Sequence, residues 1–158
     1  MKTKTVIAGL AFLVIIASCK TTAPAVGVLN GEIAPEVTAV LLDGKSVNLS
    51  ASRGKLVLLE FWDSNNSVAR KNHFEMQRMY SKFKNTEFKR GNGFEIYSLS
   101  IDTDVAAWKN AVAADGISWP ILVNDKAGWN AKPALDYKIA SLPKYFLIDE
   151  NGLIISHN

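Results

Sequence analysis

The stretch Trp62-Asp63-Ser64-Asn65-Asn66-Ser67-Val68-Ala69-Arg70-Lys71 places a carboxylate, hydroxyls and amides between an apolar run and a basic helix start. Three chemistries could use such a loop. A Ser67 nucleophile would need a base beside it. His73 falls inside the following helix and His157 at the chain end, so neither is placed to serve. A calcium site wants several charged oxygens, and Asp63 stands alone among neutral groups. Disulfide exchange and peroxide reduction both start from a thiolate. The chain has one cysteine, Cys19, and it lies far from this loop. What remains is turn and cap chemistry, with Ser64, Asn65 or Asn66 accepting from free helix N–H groups. No metal and no cofactor is implied.

The elements around the loop are legible. Gly54 to Phe61, "GKLVLLEF", is a dense aliphatic run of strand length, expected to be buried on both faces as in a parallel sheet. A helix is predicted from Ser67 to Lys84, with Met76, Met79, Tyr80 and Phe83 at helical spacing facing the core. "VTAVLLDGKSVNLS" carries a hairpin signal at Asp43-Gly44. After the Gly91-Asn92-Gly93 break, "GFEIYSLSID" is the next strand, and Asp102 or Thr103 can cap a helix carrying Val105, Trp108 and Val112. "WPILVND" is extended, Asn130 to Tyr137 is a short helix limited by Pro133, and "KYFLID" and "LIISH" form a closing hairpin. Hairpin, β-α-β, helix and hairpin in that order predict an α/β fold with a sheet of mixed direction.

The amino terminus has its own signature. Lys2 and Lys4 precede an apolar run, Val6 to Ala17, which is too short for a stable transmembrane helix. It ends in Ile16-Ala17-Ser18-Cys19, which resembles a bacterial lipobox. The resemblance implies a signal peptide over residues 1–18, cleavage before Cys19, and lipid on the Cys19 sulfur and its new amine. Several acyl chains on one residue give stable anchoring. Residues 19–30 are then a tether, and the domain occupies 31–158. A lipidated Cys19 leaves no free thiol. Without Lys2 and Lys4 the 18 basic residues become 16 against 15 acidic ones, a net charge near +1. No basic block interleaved with aromatics remains, so nucleic-acid binding has no support.

Residues 31–158 resemble the thioredoxin fold, and specifically the membrane-tethered thiol-disulfide oxidoreductases of the TlpA and ResA type, related to the AhpC/TSA proteins. The resemblance rests on "GEIAPEVTAVLLDGKSVNLSASRGK", "LVLLEFW", the "SID" strand end, "ASLPKYFLID" and "ENGLII" in order. It implies a mixed sheet flanked by helices, with an amino-terminal β-hairpin. In that family a Cys-x-x-Cys pair opens the helix. Counted from Trp62, its positions fall on Asn66 and Ala69 here, while the basic pair Arg70-Lys71 is kept. The Trp before the first Cys is Asn65, and the Glu three places after the second is Asn72. Pro143 matches the family's cis-proline, and the backbone of Leu142 would pair with an extended partner chain. Glu60 stands where thioredoxins carry a buried proton-relaying acid. Here it is either a desolvated relic of that role or a strand-end carboxylate reaching water or a lysine.

The family also ends in a helix that covers one sheet face, whereas this sequence stops at Ser156-His157-Asn158. The expectation is apolar sheet surface that is exposed, or covered by self-association or a protein partner. The function expected overall is a lipid-anchored, periplasm-facing envelope protein without redox cysteines of its own. It would bind an extended peptide or protein in a groove around Trp62, Asn66, Leu142 and Pro143. The alternative is an oxidoreductase with residual or partner-dependent redox activity.

Overall fold

A computed structural model describes residues 23–158. The leader and Cys19 lie outside the described residues. The first element is the expected hairpin, β1 (Thr38–Val40) against β2 (Ser46–Asn48), antiparallel. Its turn is closed by the Asp43 carboxylate, which accepts from the Lys45 N–H at 3.0 Å, and by Gly44 at φ 86°. That φ suits a residue without Cβ.

The dense aliphatic run is β3 (Leu56–Trp62). It lies at the centre of a five-stranded sheet and is followed by helix α1 (Ser67–Phe83). A small hairpin, β4 (Glu87–Phe88) and β5 (Gly91–Asn92), comes next. Sequence patterning showed only a break there, because two-residue strands carry no periodicity. Its glycine has a packing reason: Gly91 sits at φ 145°, and a Cβ on it would fall 2.5 Å from the backbone nitrogen of Leu56.

The remaining elements are β6 (Phe94–Ser100), α2 (Val105–Ala114), β7 (Ile121–Asn124), the short helix α3 (Lys132–Asp136), β8 (Lys144–Ile148) and β9 (Ile154–His157). The sheet order is β7-β6-β3-β8-β9. β6 runs parallel to β3 and to β7, whereas β8 runs antiparallel to β3 and to β9. The mixed direction expected from the sequence is present. A single turn of 3-10 helix, Gly128–Asn130, leads into α3, which Pro133 opens.

Alternation along β3 divides the core. Val57, Leu59 and Phe61 face one layer, with Tyr97, Leu99, Val123, Phe146 and the buried face of α3. Leu58, Glu60 and Trp62 point to the other face, and Trp62 packs there with Ile96, Met76 of α1 and Trp108 of α2. Each fully buried Leu, Ile or Phe contributes about 1.5–3 kcal/mol, so both faces are needed to hold a sheet this size.

Three expectations need correction, and one open alternative is decided. Met79 is 38% exposed, because it lies at the margin of the α1 stripe and borders a groove left open over β8 and β9. Asp104, not Asp102 or Thr103, caps α2, accepting from Ala106 and Ala107; Asp102 is buried and engaged elsewhere. The amino-terminal stretch read as tether is partly packed. Ile33 donates to Ala25 at 2.8 Å, Gly27 donates to Ile33 at 3.0 Å, and Gly31 donates to Ile154 at 2.8 Å. Hydrogen bonding to the domain therefore begins at Ala25, before the Gly31 boundary. Glu60, finally, reaches neither water nor a lysine. On the α1 side of β8 and β9, Leu58, Tyr145 and Leu147 stay half-buried and with Met79 border a groove of about 340 Å³. Among the described residues no helix is long and apolar enough to cross a membrane.

Candidate functional site

β3 delivers Trp62 to the sheet end, the loop 63–66 turns the chain, and Asn66 starts α1. Asp63 Oδ1 accepts from the Asn65 N–H at 3.0 Å, which makes the turn. Of the three cap candidates, Asn66 is the one used: its Oδ1 accepts from Val68 at 3.1 Å and from Ala69 at 3.0 Å. These are two of the N–H groups that every helix start leaves without an internal partner.

The other half of the Asn66 amide faces away from the helix. Its Nδ2 donates to the backbone carbonyl of Leu142 at 3.0 Å. Antiparallel pairing of β8 with β3 sets this up, because Lys144 sits opposite Phe61 and carries Leu142 and Pro143 past the loop. The Leu142–Pro143 bond is cis, as the resemblance implied. Asn66, Leu142 and Pro143 are thus together and only partly buried. Trp62 and Ala69 are not on that surface. Both are fully buried, so Trp62 is the floor of the site and not a contact residue as expected. Burying the indole against α1 outweighs leaving it at the rim.

The loop is braced from below. Asp102 accepts from the Ser64 N–H at 3.0 and 2.9 Å and from the Ser64 hydroxyl at 2.6 Å. Its other oxygen accepts from Ser100 Oγ at 2.7 Å. Hydrogen bonds to an ionised group are among the stronger ones. Arg70 donates to the Ser64 carbonyl at 3.1 Å and makes a two-pronged pair with Asp115, at 2.5 and 2.6 Å. Asn72, where the family carries Glu, donates to the Tyr145 hydroxyl at 3.0 Å and ties α1 to β8.

Under the loop lies a buried charge cluster that the loop residues alone did not reveal. His73 is wholly buried, edge-on to the Trp62 ring at 4.4 Å between centroids. Its Nδ1 is 2.7 Å from Asp115 Oδ2, and its Nε2 is 3.3 Å from Glu60 Oε1. The second approach lacks hydrogen-bond geometry, so charge rather than direction holds it. Glu60 Oε2 accepts from Ser98 Oγ at 2.7 Å. Burial works against the charged imidazole, but the carboxylates of Glu60 and Asp115 outweigh it and hold the His73 pKa above its ordinary value. Burial likewise opposes the Asp115 charge, and Arg70 and His73 outweigh it, so that carboxyl stays below its usual range. With His73 protonated, two anions face two cations, which satisfies the condition for burying charge at all. Burial, and then the Glu60 charge, push the Tyr145 hydroxyl up to about 12.

One signal for His73 was present in the sequence. Ala69, His73, Met76, Tyr80 and Phe83 follow helical spacing, so His73 falls within the apolar stripe. Asp115 comes from the end of α2 and carried no such mark. Ser67 is exposed at the start of α1, and His157 lies on the edge strand β9, its ring beside Phe146.

Comparison with known proteins agrees with this geometry. The AhpC/TSA family model matches residues 30–157. The thiol-disulfide oxidoreductase ResA of Bacillus thuringiensis subsp. konkukian (strain 97-27) is 33% identical over 125 residues, covering 79% of this chain and 66% of that protein. The chain therefore spans just under two thirds of that relative's length. Among solved structures, the thioredoxin domain of a thiol-disulfide oxidoreductase from Bacteroides vulgatus superposes with a TM-score of 0.73 at 32% identity, covering 82% of this chain and 88% of that one. A thiol:disulfide interchange protein from a Bacteroides species gives 0.72 at 30% identity, covering 83% and 82%. With the family model matching most of its length, the chain belongs to the AhpC/TSA family, as a thioredoxin-like protein of the TlpA/ResA type.

Proposed function

We propose that this protein is a thioredoxin-like binding module of the bacterial envelope, held at a membrane by lipid on Cys19 and facing the periplasm, with no redox-active cysteines of its own. The observation that carries this is the Asn66 side chain. It stands where the family resemblance, counted from Trp62, places the first thiol, and both ends of its amide are engaged, one with the α1 start and one with Leu142. An amide held this way supplies neither a nucleophile nor a leaving group for disulfide exchange. The partner is an extended segment of peptide or protein lying beside Leu142 and Pro143. Self-association would use the separate groove at Leu58, Tyr145 and Leu147.

Two measurements on the purified full chain test it. Insulin reduction should not rise above a no-protein control, and turnover would favour the oxidoreductase alternative. Capture of envelope partners by the anchored protein should fall when Pro143 is replaced by Ala. Capture unchanged by that substitution would move the contact away from the groove.

A further inference from the structure

The first described residues form a stiff apolar edge rather than a loose tail. Ala25 and Gly27 bond to Ile33, and the Glu32 carboxylate folds back over Gly27 to accept from the Leu29 N–H at 2.9 Å. This bracing sorts the side chains. Val28 packs on the core, while Val26 is 69% exposed and Leu29 61% exposed. A cavity of about 800 Å³ separates this edge from α3, with Pro133 and Lys138 on its far wall. Lys138 makes no ion pair among the described residues.

We infer that this edge, Val26 and Leu29 with Lys138 across the cavity, is the face the domain lays on the lipid bilayer. The inference rests on lipidation of Cys19. It is further supported by the length of chain between Cys19 and the first residue hydrogen-bonded to the domain. From Cys19 to Ala25 there are six residues, which reach about 20 Å when fully extended. A domain of this size is about 35 Å across. The anchor is therefore shorter than the domain, and the side that carries Ala25 has to stay next to the membrane. Two exposed apolar side chains are far too few for a protein interface of standard size. For a bilayer they suffice, because the acyl chains already hold the edge at high local concentration. Leucine and valine can then enter the headgroup boundary while the Lys138 ammonium stays at the level of the phosphates.

The test uses the acylated full chain reconstituted in phosphatidylethanolamine/phosphatidylglycerol vesicles. With the Cys19 sulfur held in a thioether, a cysteine introduced by Leu29→Cys or, on the opposite side in α1, by Ser81→Cys is the sole reactive thiol. Each is labelled with an environment-sensitive fluorophore and challenged with lipids that carry a nitroxide quencher on the acyl chain. Quenching is expected to be several-fold stronger at position 29 than at position 81. A label at Lys138→Cys should also be quenched, and that quenching should fall toward the position-81 level when Val26→Asp and Leu29→Asp are introduced. Equal or absent quenching at 29 and 81, in protein whose mass shows the acyl chains, overturns the inference and leaves the lipoprotein reading standing. A mass without acyl chains overturns both.

Discussion

Asn66 Nδ2 lies 3.0 Å from the carbonyl oxygen of Leu142, the residue that precedes the cis-proline, although the two positions are 76 residues apart in the chain. One side chain thereby closes the helix start and latches it to the segment that leads into β8, the antiparallel neighbour of β3. A thiol at the same place is a weak donor and a weak acceptor. It could not replace both bonds, so the loop here is built for closure.

Replacing Asn66 should show how much that closure is worth. Asn66→Ala removes the cap and the latch together. Loss of an N-cap costs about 1 kcal/mol, and loss of the hydrogen bond to the part-buried Leu142 carbonyl about 0.5–1.5 kcal/mol more. Asn66→Asp keeps the cap, and its charge suits the positive end of the helix, but it cannot donate to Leu142. Urea unfolding should rank wild type above Asn66→Asp and Asn66→Ala lowest. Equal midpoints for wild type and Asn66→Asp would show that the latch contributes nothing.

Reintroducing thiols tests whether the scaffold still supports the relatives' chemistry. Asn66→Cys with Ala69→Cys places two sulfurs one helical turn apart at an N-terminus. The helix dipole lowers the pKa of the first thiol, and the second can resolve a mixed disulfide. The double variant should form an internal disulfide and reduce insulin, whereas the unmodified chain and each single variant should not. An inert double variant with a normal fold would mean that the frame itself has drifted from exchange geometry.

The cluster around His73 predicts a pH profile. Its raised pKa means that its stabilisation is complete below the unfolded value of about 6.5 and is lost as pH climbs through the folded value. The lowered pKa of Asp115 means that its contribution is complete above about 3.9 and is lost as pH falls through the folded value. Stability should therefore peak between roughly pH 4 and 6.5, with a decline on the alkaline side that can reach about 1.4 kcal/mol per pH unit. His73→Gln should remove that alkaline decline. It should also cost about 3–5 kcal/mol near pH 6, because Glu60 and Asp115 lose their shared cation. Midpoints of urea unfolding from pH 5 to 9 check both statements. An alkaline limb of the same slope in the variant would assign the titration to another group.

What could be read in advance separates by range along the chain. β3 and α1 were legible because an unbroken aliphatic run and a helical stripe are local patterns. Asn66 as a cap follows from the same short range. The latch to Leu142 depends on β8 returning antiparallel to β3, which no window around residue 66 contains. The pairing of His73 with Asp115 likewise brings the end of α2 to the middle of α1 across 42 residues. Asp102 shows the opposite error. Its spacing suits a helix cap, but its depth at the end of β6 makes it the acceptor for Ser64 and Ser100, and Asp104 caps α2 instead.

That displaced aspartate gives the last prediction. Asp102 is buried and takes the Ser64 N–H, the Ser64 hydroxyl and the Ser100 hydroxyl, while its own carbonyl accepts from Asn124 Nδ2 at 2.9 Å. It is thus the point at which β6, β7 and the loop before α1 meet. Asp102→Ala should leave several donors buried without an acceptor, at about 1–3 kcal/mol for each one that water cannot reach. Asp102→Asn keeps the shape and one oxygen, so the loss should be smaller. Because Ser64 is two residues from Asn66, the loop should loosen before the sheet does. Hydrogen exchange should accelerate at residues 64–69 in Asp102→Asn while β3 and β6 stay protected. Uniform acceleration across the sheet would instead make Asp102 a support of the whole fold.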